Sequence, residues 1–205
     1  MGNKNSSFPS TCDYSMHKDT SAMYWDLFGI DQGKVLDLGS GMGGFGKSKP
    51  DDVNLYGVDR DIGISANAIG YKEVVNMDIG SKELPFGDGE FDAILARDIL
   101  EHLDSPWDVV DDLFRVLKVG GIIICSVPKP DPKVVWSDYT HRRGFTARAL
   151  SSLMENSGFH VERVFLMSGY TLAARLKISW ILPFLGYIPI LRNLLCNYHC
   201  IARKQ

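Results

Sequence analysis

No stretch of this chain is long and apolar enough to span a bilayer, which needs about 20 apolar residues. The longest uncharged run, Ile178–Leu191, has fourteen residues and is broken by Pro183, Gly186 and Pro189. The first twenty residues are polar with no apolar central stretch, so no secretory signal is expected. Basic charge is also scarce. Lys and Arg number 22 against 25 Asp and Glu, a net charge of −3, so no basic face is offered to a nucleic acid. The four cysteines (Cys12, Cys125, Cys196 and Cys200) contain no C-x-x-C pair and no disulfide-like framework. They read as idle reduced thiols of a cytoplasmic protein. Cys196 and Cys200 fall on one face of an expected strand, but two thiols make no metal site, and no metal is expected. Internal repeats are absent.

What is present fits one domain with a sizeable core. Residues 1–18 read as a flexible segment, and 19–205 as the domain, with an apolar insertion at about 170–192. Met1-Gly2-Asn3-Lys4-Asn5-Ser6 matches the short myristoylation pattern, which is common by chance. Asp19–Phe28 reads as a helix with Met23 and Leu27 on its apolar side. Strands are then expected at Lys34–Leu38, Asn54–Asp59, Lys72–Met77, Phe91–Ala96, Ile122–Val127, His160–Met167 and Leu194–Ala202, with a short helix at Ile62–Ile69. Ser105 and Pro106 open a further helix in a capping-box-like pattern with Asp108. Val109, Val110, Leu113, Phe114 and Leu117 form its stripe, and Gly120-Gly121 stops it. Thr146 caps another helix, with Leu150, Leu153 and Met154 facing the core and Gly158 as its stop. Such alternation implies right-handed crossovers and a mostly parallel sheet covered on both faces, an α/β fold. The insertion can pack on the sheet edge, cover a pocket, join a dimer or lie peripherally in a membrane surface.

The run Val35-Leu36-Asp37-Leu38-Gly39-Ser40-Gly41-Met42-Gly43 carries the functional signal. Glycines at every second position after a strand let the backbone approach a ligand closely. At the carboxyl end of a strand in an open α/β sheet they make a bed for a nucleotide-like cofactor. Gly41-Met42-Gly43-Gly44-Phe45-Gly46 fits the dinucleotide fingerprint G-x-G-x-x-G, a weak signal by itself. The register Asp37-x-Gly39-x-Gly41-x-Gly43 fits better the D-x-G-x-G-x-G of S-adenosylmethionine (SAM) methyltransferases. Only Lys47-Ser48-Lys49 separates Gly46 from Pro50, leaving room for about one turn rather than a phosphate-binding helix. An acid there suits the ammonium of a methionine moiety and would repel a pyrophosphate. Asp59 ends the second strand, 20 residues after Gly39, where a carboxylate can accept from both ribose hydroxyls. Asp78 can accept from the adenine amino group, with Met77 and Ile79 flanking the base. Asp37 can hold the methionine amino end. Backbone at Ala96-Arg97 should line the methionine pocket, and the Arg97 side chain can reach a carboxylate of the cofactor or of an acidic substrate. Ser40 and Arg60 complete the cofactor set.

With these residues the chain resembles a class I SAM-dependent methyltransferase, in the small-molecule group that includes ubiquinone/menaquinone-pathway and sugar or glycolipid enzymes. The resemblance is carried by Val35–Gly43, Tyr56–Asp59, Asn76–Ile79, Phe91–Leu95, Glu101-His102-Leu103 and Leu117–Gly121. It implies a doubly wound seven-stranded sheet of order 3-2-1-4-5-7-6 with the last strand antiparallel, and S-adenosyl-L-methionine as cofactor. The shortened segment before Pro50 departs from the family.

Methyl transfer from a sulfonium is an in-line displacement, so alignment and exclusion of water matter most. A hydroxyl or amine acceptor can also need a base. His141, in the loop after the fifth strand, is the candidate; Tyr139 and Arg142, with Trp136 beside them, are placed to bind a polar or anionic acceptor. Tyr14, with Met16 and His17, can close the site from the amino end, while His102 and Glu101 read as structural. The chain lacks the Asn/Asp-Pro-Pro-Tyr/Phe run of adenine methylation and the Pro-Cys nucleophile of cytosine-carbon methylation. A small-molecule or lipid-linked acceptor, methylated at oxygen, remains. The rival readings are a SAM-binding regulatory or inactive partner subunit and a nicotinamide-dependent reductase.

Overall fold

The alternating apolar runs become seven strands of one sheet. The protein is seen in a computed structural model that describes residues 20–61, 70–168 and 196–205. In chain order the elements are α1 (Thr20–Phe28), β1 (Gln32–Leu38), β2 (Asp52–Asp59), β3 (Tyr71–Asn76), β4 (Phe91–Arg97), α2 (Pro106–Val116), β5 (Leu117–Pro128), the single turn α3 (Pro132–Val135), α4 (Ala147–Asn156), β6 (Phe159–Ser168) and β7 (Cys196–Lys204). Short 3₁₀ turns at Gly44–Ser48 and Leu100–His102 follow β1 and β4. The expected helix at Ile62–Ile69, the amino-terminal segment 1–18 and the apolar insertion 170–192 lie outside the described residues.

The strand order is β3-β2-β1-β4-β5-β7-β6. β7 is antiparallel to both neighbours and the other pairs are parallel, as the resemblance implies. Successive strand residues point to opposite faces, so the near-continuous apolar runs build two cores. Leu36, Leu38, Val58, Ile94, Ala96, Ile123 and Cys125 face Val110, Leu113 and Val116 of α2 and Leu150 and Met154 of α4. Val35, Leu55, Ala93, Leu95, Ile122 and Ile124 face Met23, Tyr24, Trp25 and Phe28 of α1. Both covered faces leave the carboxyl ends of the parallel strands as the open edge where a ligand can sit.

Two expectations about α2 need correction. Ser105 precedes the helix but makes no side-chain cap hydrogen bond, its backbone lying at φ −126°, ψ 74°. The helix also ends at Val116 rather than running through Leu117 to Gly120-Gly121. Leu117 takes extended dihedrals because it already pairs with Phe91 at the start of β5, and its side chain is buried there. The register then jumps to Ala93 opposite Ile122, so Lys118–Gly121 is an irregularity within the strand. Thr146 does cap α4, its hydroxyl accepting from the Ala149 N–H at 3.1 Å.

Candidate active site

The loop after β1 is fixed by the end of β2. Gly39 and Ser40 N–H both donate to the Val58 carbonyl, at 2.8 and 3.2 Å. Asp59, the last residue of β2, accepts from Gly41 N–H at 2.7 Å through Oδ2 and from Asp61 N–H at 3.0 Å through Oδ1. The loop can only follow this path with φ of +49° at Gly41, which L side chains rarely adopt, and a Cβ at Gly41 would meet open space. Gly57 is needed for a different reason. A Cβ there would come within 2.9 Å of Ser40 Oγ and 3.1 Å of Tyr71 Cδ1. Ser40 Oγ is buried without a hydrogen-bond partner. The shortened segment that follows is one 3₁₀ turn, clamped by α1. Phe45 stacks on Trp25 with ring centroids 4.2 Å apart, and its carbonyl accepts from Ser21 Oγ at 2.5 Å and Trp25 Nε1 at 3.1 Å.

Beside this loop lies a polar layer in which Asp37, Tyr24, Ser126 and His199 are buried. Asp37 is 3% exposed and its carboxylate accepts a hydrogen bond from the Tyr71 hydroxyl. Burial pushes its pKa up to about 6, while Tyr71 and the charge of Arg97 pull the other way. The Arg97 guanidinium lies 5.9 Å from the centre of the Tyr24 ring. Tyr24 in turn bonds His199 Nε2 at 2.9 Å. His199 Nδ1 faces the Asn197 carbonyl at 3.2 Å, so Nδ1 carries the proton and Nε2 accepts from Tyr24. Burial lowers the His199 pKa to about 4. Asp98, just past β4, holds a left-handed φ of +51° while Oδ1 accepts from Ser126 Oγ at 2.8 Å and Asn197 Nδ2 at 3.0 Å.

A cavity of about 1030 Å³ opens over the strand ends. Gly39, Asp59, Arg60, Asp78 and Ile79 line it from the loops after β1, β2 and β3. His102, Asp104, Tyr139, Thr140, His141 and Arg142 line it from the segments after β4 and β5. These two segments are tied together by Arg142 N–H donating to the Glu101 carbonyl at 2.9 Å. The two histidine rings meet edge to face at 4.6 Å. Thr140 Oγ1 gives its proton to Asp138 Oδ1 at 2.6 Å and therefore accepts from His102 Nδ1 at 2.9 Å. His141 Nδ1 donates to the Val135 carbonyl at 2.6 Å. With Nδ1 donating in both rings, the neutral form of each has its lone pair on Nε2. Burial and the neighbouring His141 both lower the pKa of His102. Glu101 is 1% exposed, and burial raises its carboxyl to about 8.

Comparison with known proteins agrees with this geometry. Residues 18–164 match the family model described as a methyltransferase domain. The chain belongs to the class I SAM-dependent methyltransferases. A phosphoethanolamine N-methyltransferase from Triticum aestivum is 30% identical over 159 residues, covering 69% of this chain and 31% of that one. The chain therefore spans about a third of the length of that relative. A SAM-dependent methyltransferase from Archaeoglobus fulgidus superposes with a TM-score of 0.68 at 19% identity, over 90% of this chain and 92% of that one. A Haemonchus contortus phosphoethanolamine N-methyltransferase 2, in complex with phosphomonomethylethanolamine and S-adenosylhomocysteine, gives 0.64 at 17% identity, over 90% and 52%. These structural likenesses carry the fold. The cofactor of this methyltransferase is S-adenosylmethionine, and its own residues fit that molecule. Gly41 leaves open space where a Cβ would stand, Ser40 Oγ lacks a partner beside it, and a carboxylate stands at the end of β2.

Of the residues singled out in the sequence, Gly39, Asp59, Arg60, Asp78, Ile79, Tyr139, His141 and Arg142 come together around the cavity. Ser40 and Gly41 belong to the loop that Asp59 and Val58 fix beside it. Asp37 and Arg97 are not among the lining residues; Asp37 is buried against Tyr71, and Arg97 is half-buried beside Tyr24. β3 ends at Asn76, one residue before the expected Met77, and Asp78 stands in the turn after it. Tyr14 lies outside the described residues. His102, read as structural, stands in a 3₁₀ turn with its ring at the cavity wall. Asp98, Ile99, Leu103, Asp104 and Thr140 also line the cavity without having been expected. Nothing in the local sequence marks them, because strand order alone brings residues 98–105 against 139–142.

Proposed function

We propose that this methyltransferase moves a methyl group from SAM to the oxygen of a small-molecule or lipid-linked acceptor bound in the cavity. The single observation behind this reading is the cavity itself, with a glycine loop and two carboxylates at one end and two imidazole lone pairs at the other. SAM supplies an electrophilic methyl group on a sulfonium. Gly39, Ser40 and Gly41 cradle its methionine part, and Asp37 and Arg97 set the charge around the amino and carboxylate ends. Asp59 and Arg60 hold the ribose, the carboxylate keeping lone pairs beyond those used by Gly41 and Asp61. Asp78 and Ile79 receive the adenine. Tyr139 and Arg142, with Tyr14, hold the acceptor. His141 readies the nucleophile, because its Nδ1–H is fixed on Val135 and Nε2 presents the lone pair. The rest is alignment of nucleophile, methyl and sulfur with water excluded.

The names of the wheat and Haemonchus relatives support a second reading, methylation of the nitrogen of a small phosphorylated amine. Calorimetry with SAM, S-adenosylhomocysteine and NADH tests the cofactor, and a panel of hydroxyl and amine acceptors that includes phosphoethanolamine tests the atom. Asp59→Ala should lose SAM affinity by about 100-fold, as expected when a charge-assisted hydrogen-bond partner is lost. His141→Ala should bind SAM normally but turn over about 100-fold more slowly, the scale of general-base catalysis. Absence of binding by a folded sample would sink the enzyme reading in favour of an inactive partner subunit. NADH binding alone would favour the reductase.

A further inference from the structure

Glu101, His102 and His141 each bring one donor atom to within 4.8 Å of the others. His102 Nε2 is 4.0 Å from Glu101 Oε1. The Glu101 side chain is 1% exposed and its Oε2 has no hydrogen-bond partner. A buried carboxyl left this way is costly unless something compensates it. The histidines are prepared in the same sense. Each has Nδ1 spent on a fixed acceptor, Thr140 Oγ1 or the Val135 carbonyl, which orients the ring and leaves Nε2 for another partner. That is the outer arrangement found behind metal-bound histidines. The carboxylates of Asp98 and Asp138 add negative potential around Glu101.

We infer that Glu101, His102 and His141 bind one divalent first-row transition ion, such as Zn²⁺ or Mn²⁺, at the acceptor end of the cavity. Two imidazoles with one carboxylate suit such ions, whereas Mg²⁺ and Ca²⁺ favour oxygen donors throughout. Donor atoms stand roughly 2.0–2.2 Å from such an ion, so the three must draw in by about 1 Å. Side-chain rotation can supply that, since His141 and His102 stand at the cavity wall. Three protein ligands leave a position open, and it faces the cavity. The inference rests on the methyl-transfer reading for what fills that position, the acceptor oxygen. There the ion lowers the pKa of the hydroxyl. The O–H bond breaks as the hydroxyl binds the ion, its proton leaving to bulk solvent ahead of the transfer; the new C–O bond then forms, and the C–S pair leaves with sulfur. His141 then readies the nucleophile as a ligand of the ion, with Nε2 on the metal.

The full chain, stripped by chelator, is titrated with Zn²⁺, Mn²⁺ and Mg²⁺ by calorimetry and with Co²⁺ by visible absorption. The expected result is one Zn²⁺ per chain, Mg²⁺ much weaker, and Co²⁺ bands of a low-coordinate site. Losing an outer-shell partner already costs 10–100-fold in metal affinity, so His141→Ala and His102→Ala should each weaken Zn²⁺ by about 100-fold or more. Both variants should keep their circular dichroism and their S-adenosylhomocysteine affinity. Glu101→Gln, where it folds, should do the same. No Zn²⁺ binding, or binding unchanged in a folded His141→Ala, overturns the inference. S-Adenosylhomocysteine binding without Zn²⁺ leaves the methyl-transfer reading standing and removes the ion. One Zn²⁺ bound without S-adenosylhomocysteine does the reverse.

Discussion

His199 and Asp37 are both buried, both feel the charge of Arg97, and pull the pH dependence of stability in opposite directions. His199 falls from 6.5 to about 4, so the unfolded chain takes up its proton first. Its contribution is present above pH 6.5 and is lost as pH falls toward 4. Between pH 7 and pH 4.5 this amounts to about 2 to 3 kcal/mol. Urea unfolding of the native chain and of His199→Gln at both pH values should show the native chain losing that much more. Equal losses would mean that His199 is not held neutral. Asp37 rises from 3.8 to about 6, so its contribution is present below pH 3.8 and lost as pH rises through 6. The same shift bears on the cofactor. An ammonium seated by Asp37 needs the charged carboxylate, so SAM affinity should fall up to about tenfold per pH unit below pH 6. Asp37→Asn should bind more weakly and lose that slope in calorimetry. Asp37 and Asp59 were legible in the sequence because Asp37 stands one residue before the end of β1, just ahead of the glycines, and Asp59 ends β2. Tyr71 and His199 were not, because their partners lie 34 and 175 residues away.

At the scale of elements, the two helix starts that look alike in sequence behave differently. Thr146 accepts from Ala149 N–H, whereas Ser105 makes no cap bond. Thr146→Ala should cost about 1 kcal/mol in chemical denaturation. Ser105→Ala should stay within about 0.5 kcal/mol. A cost at Ser105 as large as at Thr146 would contradict the difference in their backbones. A pattern of side chains identifies a helix entrance but not the dihedrals with which the chain arrives, and Ser105 comes out of a cavity-lining turn. The α2–β5 junction has the same lesson. The apolar period through Leu117 fits a helix, yet pairing with Phe91 draws Leu117 into the sheet. The short turn after the glycine loop was legible, because Pro50 leaves no room for more. Its anchorage by Trp25 was not, since stacking on Phe45 depends on where α1 lies.

At the scale of the molecule, the proposed cofactor bed draws on three strand ends and should tie folding to binding. S-Adenosylhomocysteine at 100 times its dissociation constant adds about 2.7 kcal/mol of stability. For a domain of this size that raises the melting temperature by roughly 5 to 10 °C. Thermal scans of Asp59→Ala at the same ligand concentration should show almost no rise. Among the described residues no helix is long and apolar enough to cross a membrane. By itself the sequence determined the strand set, the glycine bed, the acids at the strand ends and hence the cofactor. Those signals are local: alternation, glycine spacing and a carboxylate at a strand's end act through neighbours in the chain. Tertiary structure alone decided which residues share the cavity wall after β4 and β5. The order β1-β4-β5 seats Glu101 and His102 against His141, some 40 residues on. No local periodicity encodes that meeting, because it arises from hydrogen bonding between strands distant in sequence.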